Sequence, residues 1–210
     1  APTVVNSGGT VDEGQTIQIN DSLLSTTDQE QSPNEIVYTV NSAPINGMLF
    51  LNGNPAFVGA TFTQADINAG FVSYVHDGTS TLTDSFGYSV TDGQGATVPG
   101  QVFSVSVNPV NDVPVAVDDV YTIAEDTAVN NMQVLSNDSD ADGDTLNVSI
   151  VSGPNRGGTV SVSNDGSLNY QPAPNYFGTE TFQYEISDGN GGVSLATVTI
   201  KIMSVNDAPA

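Results

Sequence analysis

The acidic side chains of this sequence are concentrated in short loops whose spacing suits a hard metal ion. The densest loop covers residues 137–144 and places Asp138, Asp140 and Asp142 at alternate positions. Calcium takes about 6 to 8 oxygen ligands from carboxylates, amides and backbone carbonyls. With one histidine and no cysteine in the chain, zinc and copper have few suitable ligands. The loop therefore predicts a Ca2+ site.

Two other interpretations of this loop stay open at the level of sequence. Its Asp-x-Asp-x-Asp-Gly start resembles an EF-hand loop, but Ser149 stands where the bidentate glutamate of an EF-hand belongs, and the flanks alternate as strands do. A solvated acidic turn is the simpler alternative, because Asp and Gly favour turns whether or not a metal is bound. We prefer a metal site for the topological reason given below.

The charge balance excludes several classes of partner. The 210 residues include 24 acidic and 2 basic side chains, for a formal net charge of −22. Such a surface repels nucleic acid and anionic membranes. No apolar run approaches the roughly 20 residues that span a bilayer. We therefore expect no nucleic-acid partner and no membrane insertion.

The elements that must position these acids are β-strands. Period-two segments recur between Gly, Asn and Asp clusters throughout the chain, which is typical of a β-sandwich. Only residues 63–70 read as a short capped helical turn. Residues 84–95 match residues 180–191 position by position, and residues 110–114 match 205–209. The sequence thus predicts an all-β chain of two tandem seven-stranded Greek-key sandwiches in a linear array, with domains at 1–112 and 113–210.

Strand direction alternates in such a sandwich, so loops after odd-numbered strands lie at the end where the chain leaves the domain. Loops after even-numbered strands lie at the end where the chain enters. Nine residues are expected at the joint. They are Glu13, Asp77 and Asp84 of the first domain, Asn111 and Asp112 of the linker, and Asp138, Asp140, Asp142 and Asp188 of the second domain. Two charges about 4 Å apart repel by roughly 4 kcal/mol at an effective dielectric constant near 20. A group of this kind needs a cation.

The same alternation assigns the remaining acids to the outer ends of the tandem. Asp28, Glu30 and Asp92 should face a preceding domain. The residues expected to face a following domain are Glu125, Glu180, Asn206 and Asp207. Without neighbouring domains, these half-sites should be weak or empty.

Several other residues have simpler interpretations. His76 has no visible acid–base partner and reads as a surface residue at a strand end, and Asp118-Asp119 reads as a solvated pair. The aromatic residues that alternate along strands and should lie in the cores are Phe86, Tyr88, Phe182 and Tyr184. No Ser–His–Asp, Cys–His or phosphate-loop pattern stands out, so we expect no enzyme.

Two families resemble this sequence. The segments Asn111-Asp-Val-Pro114 and Asn206-Asp-Ala-Pro209 resemble the linker between cadherin repeats. The second half, through residues 124–127, 137–144 and 187–192, resembles the bacterial cadherin-like tandem repeats of large adhesins. The first half, through residues 71–78 and 84–86, is similar to the chondroitin sulphate proteoglycan type of cadherin-like repeat.

The resemblance implies two or three Ca2+ ions at the joint of an extender or adhesion segment of a secreted or cell-surface bacterial protein. It also implies neighbouring cadherin-like domains as partners, and homophilic contacts. A calcium-dependent carbohydrate-binding module for polysaccharide is the alternative function, with Tyr176 and Phe177 as its best exposed aromatic candidates.

Overall fold

A computed structural model describes residues 1–206, and the chain divides into two compact units. Unit 1 comprises Ala1–Val110, and unit 2 begins at Asn111. Both are built almost entirely from strands, because β-branched and aromatic residues alternate with polar ones along most of the chain. The predicted all-β sandwich fold is confirmed.

Unit 1 contains eleven strands and one helix. They are β1 (Thr3–Asn6), β2 (Gly9–Asp12), β3 (Thr16–Gln18), β4 (Leu24–Thr27), β5 (Val37–Ser42), β6 (Gly47–Leu51), β7 (Asn54–Ala56), β8 (Thr61–Thr63), α1 (Gln64–Asn68), β9 (Val72–His76), β10 (Thr83–Thr91) and β11 (Thr97–Asn108). The sheets have the orders β2-β11-β10-β5-β8, β3-β9-β6-β7 and β1-β4. All pairs are antiparallel except β2 with β11, which are neighbours in the main sheet and are its first and last strands in chain order.

Alternation along β10 shows how the core of unit 1 forms. Phe86, Tyr88 and Val90 are buried, whereas the residues between them are partly exposed. Phe86 stacks on Phe103 of β11 with ring centroids 5.2 Å apart. Offset aromatic pairs of this kind add stability beyond the area that they bury.

The helical turn of unit 1 begins with a capping box, as the sequence predicts. Thr63 Oγ1 accepts a hydrogen bond from Asp66 N at 3.1 Å, and Asp66 Oδ2 accepts one from Thr63 N at 2.7 Å. Gln64 is buried, and its Oε1 accepts hydrogen bonds from Thr26 N and from the Tyr38 hydroxyl. The turn thus fixes β8, which pairs with β5 and covers its outer edge.

Unit 2 contains seven strands and one 3-10 helix within its described residues. They are β12 (Asp119–Ala124), β13 (Val129–Met132), the 3-10 helix Val134–Ser136, β14 (Asn147–Ser152), β15 (Thr159–Val162), β16 (Leu168–Gln171), β17 (Gly178–Ser187) and β18 (Val193–Met203). The two sheets have the orders β12-β18-β17-β14 and β13-β16-β15. Phe182 and Tyr184 of β17 are buried between them, as predicted.

Each unit contains a tyrosine that donates its hydroxyl proton to an inward-facing carboxylate at an equivalent position. Tyr74 donates to Asp84 Oδ2 at 2.9 Å, and Tyr170 donates to Glu180. Glu180 has no exposed area, and its Oε1 accepts hydrogen bonds from the backbone N–H groups of Arg156 at 2.5 Å and Gly158 at 3.1 Å. Burial, together with the bond to the carboxylate, raises the pKa of both tyrosines.

The first prediction concerns this pair in unit 2. Tyr170→Phe removes one donor from the fully buried Glu180 carboxylate, and we expect a loss of about 1.5–3 kcal/mol in the free energy of unfolding. Urea unfolding followed through amide NMR signals of β16 and β17 measures it. The control is Tyr176→Phe, whose hydroxyl donates only to the Thr179 carbonyl at 3.0 Å. Equal losses in the two variants would contradict a special role for the carboxylate.

Candidate metal centre

Glu13 is the central acid at the chain-exit end of unit 1. It follows β2 in a turn that Gly14 completes with φ +68°, a conformation that favours glycine. The Glu13 side chain is only 8% exposed, and its Oε2 accepts a hydrogen bond from Val110 N at 3.2 Å. Its Oε1 is buried and has no hydrogen-bond partner among the described residues. A buried carboxylate oxygen without a donor is costly unless a cation approaches it.

His76 fastens the Glu13 turn to the turn that carries Asp77. Its Nδ1 accepts hydrogen bonds from Gly14 N at 3.2 Å and Gly78 N at 3.3 Å, and its Nε2 lies 3.0 Å from Thr81 Oγ1. His76 as a whole residue is only 2% exposed. The prediction of a surface residue was wrong, because two glycine turns fold over this strand end.

Asp77 and Asp84 are at this same end but differ in the donors that they hold. Asp77 is exposed and accepts from the Thr79 backbone and hydroxyl at 3.0 and 2.7 Å, which lowers its pKa. Asp84 accepts from Ile45 N and Ser85 N on one oxygen, and from Asn46 N and the Tyr74 hydroxyl on the other. Asp84 thereby takes the place of the inward-facing Glu180 of unit 2, which also accepts a hydrogen bond from a tyrosine, so Asp84 is not among the ligands that we propose.

The acidic loop of unit 2 gathers three carboxylates. Asp140 Oδ1 accepts hydrogen bonds from Asp142 N at 3.0 Å and Asp144 N at 3.1 Å, which coils the loop around it. Oxygens of Asp140, Asp142 and Asp144 all lie within 4.8 Å of one another. Asp140 Oδ2 is buried and has no hydrogen-bond partner within residues 1–206. Sequence reasoning omitted Asp144, although it continues the same alternate spacing.

The loop is not part of an EF-hand. The 3-10 helix Val134–Ser136 precedes it and strand β14 follows it, in place of two flanking helices.

Asp138 faces the interior of unit 2 and lies outside that group of three. Its Oδ1 accepts a hydrogen bond from Val117 N at 2.8 Å, and the Tyr184 hydroxyl lies 3.2 Å from its Oδ2. The same hydroxyl donates to Asp119 Oδ2 at 3.0 Å. Asp138 was predicted to act with Asp140 and Asp142, but the structure gives it partners beneath the loop.

Asp119 also departs from its sequence interpretation. It was expected to be solvated, but it is 9% exposed because the first residue of β12 points toward Tyr184. Burial, helped by the charges of Asp138 and Asp118, raises the pKa of the Asp119 carboxyl, while the bond from Tyr184 opposes this.

The Asn-Asp segment that opens unit 2 is bound to two of the predicted ligands. Asn111 Nδ2 donates to Asp188 Oδ2 at 2.8 Å, and Asp112 N donates to Asp142 Oδ2 at 2.7 Å. Asp188 is 5% exposed, and its Oδ1 also accepts from the backbone N–H groups of Asn190, Gly191 and Gly192. The bond from Asn111 is the largest cause that lowers the pKa of Asp188.

The chain-entrance end of unit 1 brings together its three predicted acids. Asp28 Oδ2 lies 3.2 Å from the Ala1 amino group, and the charges of Asp28, Glu30 and Asp92 all raise the pKa of that amine, with the hydrogen bond to Asp28 as the largest cause. Asp92 is 6% exposed and accepts hydrogen bonds from Gln94 N and Ala96 N, much as Asp188 does in its own turn.

The acids expected at the far end of unit 2 are only partly grouped. Glu125 is 7% exposed, and its Oε1 accepts a hydrogen bond from Val205 N at 2.7 Å, which repeats the contact between Glu13 and Val110. Glu180 instead points inward to Tyr170. Asn206 follows Val205 directly, and Asp207 lies outside the described residues.

The aromatic pair proposed for sugar binding is not an exposed platform. Tyr176 packs against the core of unit 2, and only Phe177, at 63%, is largely exposed. Among residues 1–206, no helix is long and apolar enough to cross a membrane.

Comparison with known families now identifies the class of protein. Residues 2–107 match a family described as cadherin-like, and residues 111–204 match one described as a bacterial cadherin-like domain. The chain therefore belongs to the cadherin-like family, with two members in tandem.

The relatives of known name are much longer proteins. Extracellular matrix protein 3 of Lytechinus variegatus is 26% identical over 204 residues, which cover 90% of this chain and 6% of that protein. The human extracellular matrix organizing protein FRAS1 is 28% identical over 172 residues, 79% of this chain and 4% of that protein. Human chondroitin sulfate proteoglycan 4 is 36% identical over 101 residues, 48% of this chain and 4% of that protein.

Two solved cadherin structures share this fold. Human mucin-like protocadherin EC1-2 has a TM-score of 0.56 at 16% identity and covers 98% of this chain and 99% of its own. Mouse cadherin-23 EC22-24 has a TM-score of 0.52 at 15% identity and covers 98% of this chain and 68% of its own. At this level of identity the likeness concerns the fold.

The second prediction uses the raised pKa of Asp119. The folded state holds the Asp119 proton more tightly than the unfolded chain, in which the pKa of an aspartate is about 3.9. Unit 2 therefore loses stability as the pH rises from that value through the pKa of Asp119 in the folded state. Asp119→Asn keeps an acceptor for Tyr184 but carries no charge, so we expect a higher melting temperature at pH 7 and a weaker dependence on pH. Asp165→Asn, at an exposed turn of the same unit whose charge is not among the causes of the Asp119 shift, is the control. Lower stability of Asp119→Asn at pH 7 would contradict the assignment.

The third prediction uses the lowered pKa of Asp188. Its stabilising contribution exists above the unfolded pKa and is lost as pH falls through the folded pKa. Asn111→Ala removes the largest cause, so the pKa of Asp188 should rise and acid unfolding of unit 2 should begin at a higher pH. NMR titration of the carboxyl carbon measures this directly. Asn190→Ala removes a side-chain amide that donates to Asp144 and serves as control. An unchanged Asp188 titration in Asn111→Ala would refute the argument.

Proposed function

We propose that this chain is a calcium-stiffened pair of cadherin-like domains that serves as an extender or adhesion segment of a secreted or cell-surface protein. One observation carries the proposal. Three consecutive residues, Val110, Asn111 and Asp112, hydrogen-bond to three different candidate acids, Glu13, Asp188 and Asp142 in that order. The first bond lies within unit 1 and the other two lie within unit 2, so each unit binds its own side of the linker through its own candidate acids.

The residues present fit a calcium ion. Glu13 Oε1 and Asp140 Oδ2 are buried oxygens without donors among the described residues, and oxygens of Asp142 and Asp144 lie close to Asp140. These are hard oxygen ligands of the kind that Ca2+ takes in irregular arrangements, whereas Mg2+ demands stricter geometry and keeps its waters. The ligands that we propose are Glu13, Asp77, Asp112, Asp140, Asp142, Asp144 and Asp188, with Asn111 as a further oxygen donor.

The mechanism is electrostatic and mechanical. Bound calcium supplies positive charge and accepts oxygen ligands. The backbone N–H groups of Val110 and Asp112 orient the Glu13 and Asp142 carboxylates, and the Asn111 amide orients Asp188. Without a cation these carboxylates would repel one another. A bound cation would relieve that repulsion and so would stiffen the linker.

The setting that we propose is extracellular. The named relatives are extracellular matrix proteins and a proteoglycan, and the family matched by residues 111–204 is described as bacterial, which supports a bacterial surface protein as the parent. Extracellular calcium modules bind with a Kd of about 10⁻⁴ to 10⁻³ M, so extracellular fluid fills such sites and cytosol does not. Further cadherin-like domains are the partners that we propose for the outer acids.

We propose no catalytic role. The one histidine of the chain, His76, is occupied by two backbone N–H groups and a threonine hydroxyl.

The fourth prediction is a calcium titration. At a hundredfold excess over Kd, calcium should stabilise the fold by about 2.7 kcal/mol, and small-angle scattering should show a longer, better-defined particle. Asp140→Asn should raise the calcium Kd at least about tenfold in calorimetry, because it removes one charge from the densest group. Asp165→Asn is the matched control, since Asp165 also caps a turn but does not belong to the acidic group of Asp140, Asp142 and Asp144.

No change in melting temperature or in maximum dimension up to about 10 mM calcium, far above the expected Kd, would overturn this function.

A further inference from the structure

Three Asn-Gly dipeptides occur in this chain, at residues 46–47, 52–53 and 190–191. Asparagine is a thermolabile residue, and its side-chain amide can be lost without an enzyme. A following glycine favours this reaction, because a residue with no Cβ lets its backbone nitrogen approach the asparagine side chain closely. The ring closes only after the peptide between the two residues has rotated. The restraints on that peptide therefore decide which of the three sites reacts in the folded chain.

The peptide between Asn190 and Gly191 is held by a carboxylate. Gly191 N donates a hydrogen bond to Asp188 Oδ1 at 3.0 Å, and Asn190 N donates to the same oxygen at 2.7 Å. The side-chain amide that would leave is also bound, because Asn190 Nδ2 donates to Asp144 Oδ2 at 2.7 Å. Charge-assisted bonds thus hold both the attacking nitrogen and the leaving nitrogen.

The peptide between Asn46 and Gly47 is enclosed by unit 1. Asn46 O accepts a hydrogen bond from Asp77 N at 3.0 Å, and Asn46 N donates to Asp84 Oδ2 at 3.0 Å. A Cβ at Gly47 would lie 2.5 Å from the Val75 carbonyl oxygen, so the space beside this glycine is already filled. Rotation of this peptide would break the bond from Asp77 and has little room.

The peptide between Asn52 and Gly53 is the least restrained of the three. It forms the two-residue turn between β6 and β7, with φ values of +49° and +76° that suit a type I′ hairpin. Both residues are exposed, and a Cβ at Gly53 would meet nothing within 4 Å. Gly53 N has no hydrogen-bond partner among residues 1–206, and Asn52 O accepts a bond from the exposed Asn54 Nδ2 at 3.2 Å.

The hairpin that carries this turn opens at small cost. β7 has three residues, lies at the edge of its sheet and pairs with β6 alone. Asn54 and Pro55 are exposed, and Ala56 is the one buried residue of the strand. Segments with few buried contacts and few hydrogen bonds open locally with free energies far below that of global unfolding. Asn52 can therefore leave the turn conformation and reach the geometry of ring closure.

We propose that Asn52 is a site of spontaneous deamidation, and that the fold protects Asn46 and Asn190 from the same reaction. The deprotonated backbone nitrogen of Gly53 attacks Asn52 Cγ and forms an N–Cγ bond. The Cγ–Nδ2 bond then breaks, and Nδ2 takes up a proton and leaves as ammonia. Water opens the resulting cyclic imide at either of its carbonyls, which gives aspartate or isoaspartate at position 52.

Both products change the hairpin. Each adds a carboxylate to a chain that already has a net charge of −22. Isoaspartate also lengthens the backbone by one carbon, which disrupts the pairing of Leu51 with Asn54. The turn lies at the opposite end of β6 from Gly47, which pairs with His76 beside the Glu13 turn, so the modification is separate from the candidate metal centre.

Incubation of the full chain in mildly alkaline buffer, at a temperature well below its melting point, tests the proposal. Chelator is present, so that the proposed calcium site plays no part. Pepsin then releases peptides in acid, where the reaction is slow, and mass spectrometry follows the replacement of NH2 by OH. Position 52 should convert at least about tenfold faster than positions 46 and 190. Electron-transfer fragmentation distinguishes aspartate from isoaspartate.

Two controls separate the fold from the sequence. In concentrated urea the three sites present the same reacting pair without the structure around it, and they should convert within about threefold of one another. Asn52→Gly removes the amide but keeps a residue that accepts positive φ, so the mass change in this peptide should disappear. A thermal melt confirms that the variant is folded.

No conversion at position 52 of the folded chain, over a period in which the chain in urea converts, would overturn the proposal. Equal rates at the three sites of the folded chain would do so as well, and so would a mass change in this peptide that Asn52→Gly retains.

Discussion

The shortage of positive charge constrains this molecule more than any other property. Twenty-four acidic side chains have only two basic side chains as possible partners, so ion pairs cannot satisfy the carboxylates. The fold satisfies many of them with N–H donors. Asp92 and Asp188 each accept backbone hydrogen bonds inside a glycine turn, and Glu13 and Glu125 each accept one from the chain that leaves their unit. Charge-assisted hydrogen bonds of this kind are among the strongest that a protein makes.

This arrangement occurs in both units because the two halves of the sequence repeat each other. The pairs Tyr74–Asp84 and Tyr170–Glu180 are at matching positions in the two repeats, and in both a tyrosine hydroxyl donates a hydrogen bond to a carboxylate. Glu13, Asp28 and Asp140 each have a buried oxygen that accepts no hydrogen bond among the described residues, so these three acids are exceptions to a general rule of this structure. A divalent cation is the simplest partner for oxygens that no N–H group reaches.

Much of the fold could be predicted from the sequence, because alternation and repetition are local signals. The capping box at Thr63 followed from residue type alone. The short strands β7 and β8 gave no such signal, since three residues hold too little alternation to recognise. Their existence depends on pairing with β6 and β5, which is a tertiary effect.

The sequence could predict which loops lie at the candidate site, but not which groups hydrogen-bond to each acid in those loops. Strand parity places Glu13 and Asp77 at one end of unit 1, and the structure agrees. Parity does not say which way a side chain turns. Asp119 and Asp138 turn inward because one buried hydroxyl, that of Tyr184, lies beneath both, and that hydroxyl is 65 and 46 residues away in sequence. His76 is buried for a similar reason, because Gly14 reaches it from 62 residues away.

The most direct test of the account is a crystal structure grown in millimolar calcium, with anomalous diffraction used to locate the ions. The account predicts calcium peaks at about 2.3–2.6 Å from the free oxygens of Glu13 and Asp140, and from carboxylates of Asp142 and Asp144. Ordered water at those oxygens, with no anomalous signal near residues 110–112, would contradict it.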